Sequence, residues 1–164
     1  MMDFDQIRAR DVMQSELITA DPEQSLAEVR HLLFESHISG APVVSEGRLI
    51  GMVSRSDLVR VEELVEALDG EISQEQQWVQ QTDGFRHSNV EGFRGFQKRL
   101  GQLRVKDAMR AQVLTCSPDT PIREVAAEMV RQHVHRIVVV EGRAPVGIVS
   151  ALDIAALVAG EEEV

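Results

Sequence analysis

The sequence predicts an α/β (α+β) chain built from two copies of one β-α-β-β-α unit. Three observations predict it. Segments 96 residues apart match in one register without a gap. Each copy carries apolar residues at helical spacing, then two short Val- and Ile-rich runs split by a glycine turn. Each copy also closes on one pattern, Gly-apolar-apolar-Ser-x-x-Asp-apolar.

The register is dense in identities. Asp11-Val12-Met13 matches Asp107-Ala108-Met109, Thr19 matches Thr115, and Pro22 matches Pro118. Glu28-Val29 falls on Glu124-Val125, His37 on His133, and Val43-Val44 on Val139-Val140. Gly51, Val53-Ser54 and Asp57 fall on Gly147, Val149-Ser150 and Asp153. Chance scatters such matches, whereas a duplicated supersecondary unit holds them in line.

The elements follow in order. A short β segment (16–19; 112–115) leads into a proline-containing turn. A helix comes next. Ser25 and Glu28 form a capping-box pattern in copy one, and Thr120 is a candidate N-cap before Pro121 in copy two. Leu26, Val29 and Leu33, and then Ile122, Val125 and Met129, mark the apolar faces. The recurrence of His37 at His133 suggests a common helix-end role. Two apolar strands follow, at 42–44 and 49–53 around a turn at Glu46-Gly47, and at 137–140 and 146–149 around Gly142. A second helix begins at Ser54 or Ser150. The copies span 8–61 and 103–160. The intervening 62–102 holds Trp78, Phe85, Phe93 and Phe96, with helical patterns at 71–81 and 89–100. Aromatics there predict packing, either on the chain's own core or on a partner.

Composition narrows the function. The chain has 164 residues, 43% hydrophobic and 27% charged, the balance of a folded domain. A net charge of −10 repels phosphate backbones and argues against nucleic-acid binding, but leaves room for one phosphorylated small molecule. Cys116 is the only cysteine, so no disulfide forms within the chain and a reducing, cytoplasmic setting is expected. The opening residues 1–5 do not read as a secretory signal, and no apolar run approaches the roughly 20 residues of a membrane helix. His133-Val134-His135 offers two imidazoles without a neighbouring carboxylate or thiol, so no metal is expected. No nucleotide-loop, metalloprotease or nucleophile-elbow motif occurs, and the chain is read as a non-enzyme.

Chemistry concentrates in the closing pattern, Gly51 to Leu58 and Gly147 to Ile154. Both stand where a strand turns into a helix. Unpartnered N–H groups at a helix start favour an anion. Ser54 and Ser150 can donate to a phosphate, and Asp57 and Asp153 can accept from adjacent sugar hydroxyls. The same Ser-x-x-Asp spacing is also a plain capping box, and the two roles are compatible.

On these residues the chain resembles a tandem CBS-domain protein (the cystathionine-β-synthase domain pair, or Bateman module). The resemblance covers about 8–61 and 103–160. It implies two repeats packed about a pseudo-two-fold axis, with an adenine nucleotide (AMP, ADP or ATP) held between them by the closing Asp. His135-Arg136 resembles the basic pair that faces phosphates in the γ subunit of AMP-activated protein kinase. An Arg fork suits phosphate. Copy one has Ser39-Gly40 at those positions, so the Asp153 site is the principal expectation and the Asp57 site the weaker one. Ser56 keeps a hydroxyl where copy two has Leu152. Thr19 and Thr115 stand at strand ends near the expected site, or are plain turn residues. Ile148 offers an apolar face to adenine, or to the core alone. Arg8, Arg10, Arg104 and Lys106 are within reach of a phosphate or simply solvated.

The implied function is a regulatory module that senses an adenine nucleotide and modulates a partner protein. No cofactor is required, and no membrane partner is expected. The family commonly forms homodimers. The alternatives are a ligand-free interaction module acting through 62–102, and a binder of S-adenosylmethionine.

Overall fold

In the computed structural model the described residues are Phe4, 6–69 and 101–160. The helices expected at 71–81 and 89–100, and the aromatics Trp78, Phe85, Phe93 and Phe96, lie outside them. A 3-10 turn at Ala9–Asp11 precedes α1 (Leu26–Glu35), β1 (Gly40–Ser45), β2 (Arg48–Ser54) and α2 (Arg55–Asp69). Then come α3 (Val105–Ala108), β3 (Thr115–Cys116), α4 (Ile122–Gln132), β4 (Arg136–Glu141), β5 (Ala144–Ser150) and α5 (Ala151–Ala159). The strands β1 and β2 form one sheet, and β3-β4-β5 form a second in that order. The fold is mixed α/β, as the duplication predicts.

Local chemistry sets the element ends. The Ser25 hydroxyl accepts from the Glu28 N–H at 3.2 Å, and the Glu28 carboxylate accepts from the Ser25 N–H at 2.7 Å, closing the expected capping box. His37 and His133 both take the left-handed conformation, with φ of 53° and 54°. The next N–H then reaches back, Ile38 to the Leu33 carbonyl at 3.1 Å and Val134 to the Met129 carbonyl at 3.0 Å. That closure ends both helices in the same way and accounts for the repeated histidine position. Glu46 and Gly47 both have positive φ, 50° and 72°, the combination a two-residue hairpin turn needs to match strand twist.

Two expectations change. Thr120 does not cap α4: its hydroxyl accepts from the Ser117 N–H at 3.1 Å, and Pro121 is the N-cap without a side-chain bond. The first strand of copy one is also missing. In copy two the Val138 N–H donates to the Leu114 carbonyl at 3.2 Å, tying β3 to β4 in parallel. Pro42 stands at the matching position of copy one and has no N–H to give. Residues 16–19 accordingly carry no strand, and only Ala20 makes a bridge.

The chain divides into two compact units, Met1–Thr19 with Pro42–Met52 and Arg110–Val164, and Ala20–Ala41 with Val53–Met109. The arm preceding each copy serves the other copy. In the first unit Ile122 N–H donates to the Ile7 carbonyl at 2.9 Å, Ala9 N–H to Thr120 at 2.8 Å, and Arg10 N–H to Pro118 at 3.0 Å. In the second, Leu26 N–H donates to the Leu103 carbonyl at 2.9 Å, Val105 N–H to Gln24 at 2.9 Å, and Lys106 N–H to Pro22 at 3.1 Å. All three bonds recur at the 96-residue offset. The Ile7 carbonyl thus does for α4 what no side chain does. The arm also enters the core: Ala9 and Val12 pack with Ile122, Val125, Met129, Ile137, Val139 and Val149. In the second unit Val105 is buried, as are Leu26, Val29, Leu33, Val53 and Leu58.

Candidate functional site

The strands β4 and β5 are antiparallel, with Arg136 opposite Ser150, Ile137 opposite Val149, and Val138 opposite Ile148. Thr115 pairs with Val138 from the other side. Cross-strand partners share a face, and so do residues two apart on one strand. Ile137, Val139 and Val149 face the helical core. The opposite face therefore carries Thr115, Val138, Arg136, Ile148 and Ser150 together. Gln14 extends this row: its N–H donates to the Ile148 carbonyl at 2.9 Å, and the Ile148 N–H donates back at 3.1 Å.

Ser150 ends β5 and caps α5. The Asp153 N–H donates to Ser150 Oγ at 3.2 Å, and the Ser150 N–H donates to Asp153 Oδ2 at 2.6 Å. Ser150 and Asp153 thus form the capping box that their spacing allows. Asp153 Oδ1 accepts from Gln14 Nε2 at 3.1 Å. The Arg136 side chain is half-buried; burial pulls its pKa below the ordinary arginine value, and the Asp153 carboxylate pulls the other way. Arginine stays protonated under either influence, so a fixed cation stands beside the α5 turn. His135 is exposed and gives its carbonyl to the Ala151 N–H at 2.8 Å. Of the copy-two residues singled out in the sequence, Ser150, Asp153, Arg136, Ile148 and Thr115 share one region, with His135 at its border.

Copy one differs. Asp57 is 2% exposed. Its Oδ2 accepts from Ser54 Oγ at 2.5 Å and from the Ser54 N–H at 3.0 Å, and its Oδ1 accepts from Arg60 at 3.3 Å. Ser56 is exposed with its hydroxyl 2.9 Å from that of Ser54, and Thr19 is exposed. Arg55, the basic residue that follows Ser54, donates to the Leu33 carbonyl at 3.1 Å. The arm cations are engaged as well: Arg10 pairs with Asp119, Lys106 bonds Glu23 at 2.7 Å, and Arg104 donates to the Glu23 carbonyl at 3.2 Å.

Two sequence motifs meet here. A Cβ on Gly147 would stand 2.8 Å from Met13 Cγ and 3.0 Å from Met13 Cβ, so the glycine of the closing pattern admits the methionine of Asp-x-Met. Gln14 was not foreseen. Its residue type carries no signal, and its partner lies 139 positions away.

The CBS domain profile matches residues 9–63 and 105–160. The chain belongs to the CBS domain family. An uncharacterized protein of Methanocaldococcus jannaschii is 27% identical over 156 residues, 94% of this chain; the chain spans 40% of that relative's length. Among solved structures, the CBS domain pair of protein MJ0100, in complex with 5′-methylthioadenosine and S-adenosyl-L-methionine, is 23% identical with a TM-score of 0.65. It covers 95% of this chain and 98% of that one. CBSX2 in complex with AMP is 22% identical with a TM-score of 0.65, covering 93% of this chain and 96% of that one. These likenesses show the CBS-pair fold. Among the described residues no helix is long and apolar enough to cross a membrane, and no group of His, Cys, Asp and Glu is placed to hold a metal ion.

Proposed function

We propose that this CBS pair is a non-catalytic regulatory module that binds an adenine nucleotide, AMP, ADP or ATP, at the turn from β5 into α5. Asp153 accepts from the ribose hydroxyls, and Ser150 Oγ donates to phosphate at the start of α5. Arg136 supplies positive charge and His135 a ring N–H donor, and Ile148 and Thr115 line the sheet face beneath. The observation that carries the reading is the Arg136–Ser150 pair, which sets a cation directly across from the turn. The AMP complex of CBSX2 supports the ligand class, and the MJ0100 complex keeps S-adenosylmethionine in the test. The site at Ser54, Ser56, Asp57 and Thr19 is the weaker of the two, because Asp57 is buried and engaged. A homodimer, which the family resemblance implies, would cover some of the exposed apolar residues, among them Leu152 at 76%. A protein partner reads the ligand-dependent state.

Thermal unfolding with AMP, ADP, ATP, S-adenosylmethionine and GMP in turn tests this. A ligand at about 100 times its Kd adds roughly 2.7 kcal/mol of stability. An adenine-specific rise that vanishes in Asp153→Ala is expected. No rise with any of the five overturns the reading and moves attention to residues 62–102.

A further inference from the structure

Each oxygen of the carboxylate proposed to receive a ribose already accepts a hydrogen bond. Oδ2 holds the α5 cap through the Ser150 N–H, and releasing it would fray the helix start. Oδ1 is therefore the oxygen that can change partners, and it accepts from the Gln14 carboxamide. Gln14 is positioned independently of any ligand. Both its backbone groups bond Ile148, and the arm that carries it is anchored by Ala9 and Arg10 to Thr120 and Pro118. Its side chain is exposed, so the carboxamide can swing into water while the backbone ladder stays intact.

We propose that Gln14 is a latch on the nucleotide site: its carboxamide holds Asp153 Oδ1 and is displaced when a ligand hydroxyl takes that oxygen. The inference rests on the reading of Asp153 as the ribose acceptor. A ligand hydroxyl that replaces Gln14 exchanges one hydrogen bond for another, so the binding gain is reduced by the bond given up. Gln14 thereby sets the concentration at which the module responds, without contributing to the bound complex.

The test is calorimetric titration of AMP, ADP and ATP into the full chain and into Gln14→Ala, Asp153→Ala and the double variant. Gln14→Ala should tighten binding about five-fold, corresponding to roughly 1 kcal/mol at 1.4 kcal/mol per tenfold. Asp153→Ala and the double variant should bind equally weakly, because without the carboxylate there is nothing to latch. The Gln14 side-chain amide signals in ¹⁵N spectra should move on Asp153→Ala and again on adding nucleotide to the unaltered chain. Unchanged or weaker binding by Gln14→Ala, with nucleotide still bound by the unaltered chain, overturns the latch alone. Absence of binding by both chains overturns the nucleotide reading and the latch with it.

Discussion

Asp57 and Asp153 occupy the same place in the same motif, yet their removal should have opposite consequences. Asp57→Ala deletes the acceptor of a buried cap. The Ser54 N–H loses its partner, while Oγ keeps the Ser56 hydroxyl, and water cannot readily replace the carboxylate beside a residue that is 2% exposed. Loss of a cap costs about 0.5–2 kcal/mol, and an unsatisfied buried donor about 1–3, so roughly 3 kcal/mol is expected in all. Asp153→Ala removes one cap bond at a half-exposed site that water can reach, at about 1 kcal/mol. For a chain of this size each kcal/mol moves Tm by roughly 2–4 °C, giving drops of about 9 °C and about 3 °C. Circular dichroism melts of the two variants, with and without AMP, ADP and ATP, measure this. The Asp57 variant should melt early and keep its ligand response, and the Asp153 variant should melt near normal and lose it. Equal melting losses, or a ligand response that survives Asp153→Ala, would refute the reasoning.

Gly147→Ala should lower stability by about 1–2 kcal/mol, because the added methyl meets Met13 Cγ and Cβ; Met13→Ala in the same chain should recover part of it in denaturant unfolding. Glu28 is held below its ordinary pKa, first by the Ser25 hydroxyl and then by the Ser25 N–H. Its contribution is therefore whole at neutral pH and is lost as pH falls through the lowered value, so Glu28→Gln should flatten the acid side of a Tm-against-pH curve. Ala9→Asp places a charge at a fully buried arm position and should cost well over 3 kcal/mol, read as loss of the cooperative melt; a melt within about 2 °C of the unaltered chain would show that the arm does not belong to the core.

Much of this fold was legible because its determinants are local. Ser25 with Glu28, Glu46 with Gly47, and the Val-rich runs each specify a piece of structure within a few residues, and the duplication states each piece twice. The arm exchange was not legible. Residues 7–14 and 103–110 are equivalent, so the sequence reads the same whether each docks on its own copy or on the other; only the distant bonds to Thr120 and Gln24 decide it. The missing strand of copy one had a visible cause in Pro42, but that cause matters only once Val138 is known to donate to Leu114. At the candidate site the sequence marks Ser150, Asp153 and Arg136. It does not mark Gln14, whose relation to Asp153 exists only through the exchanged arm.

The divergence of the two copies can be carried to a prediction of its own. If copy one lacks a strong site merely because it lacks a cation, Gly40→Arg should restore one, since position 40 matches Arg136. The geometry argues otherwise. A Cβ on Gly40 would lie 3.0 Å from the Val53 carbonyl oxygen, 3.2 Å from Ser54 Cβ and 3.3 Å from Ser54 Cα. Backbone atoms at that distance cannot step aside as a flexible side chain does. The strands are drawn together where glycine stands, and Asp57 is sealed beneath its own cap. Overpacking of this kind costs about 1–3 kcal/mol, against which an exposed guanidinium offers little. Gly40→Arg should therefore lower Tm and leave nucleotide stoichiometry in calorimetry unchanged. A doubled stoichiometry at normal stability would mean that charge, rather than burial of Asp57 and the closeness of the strands at Gly40, separates the two copies.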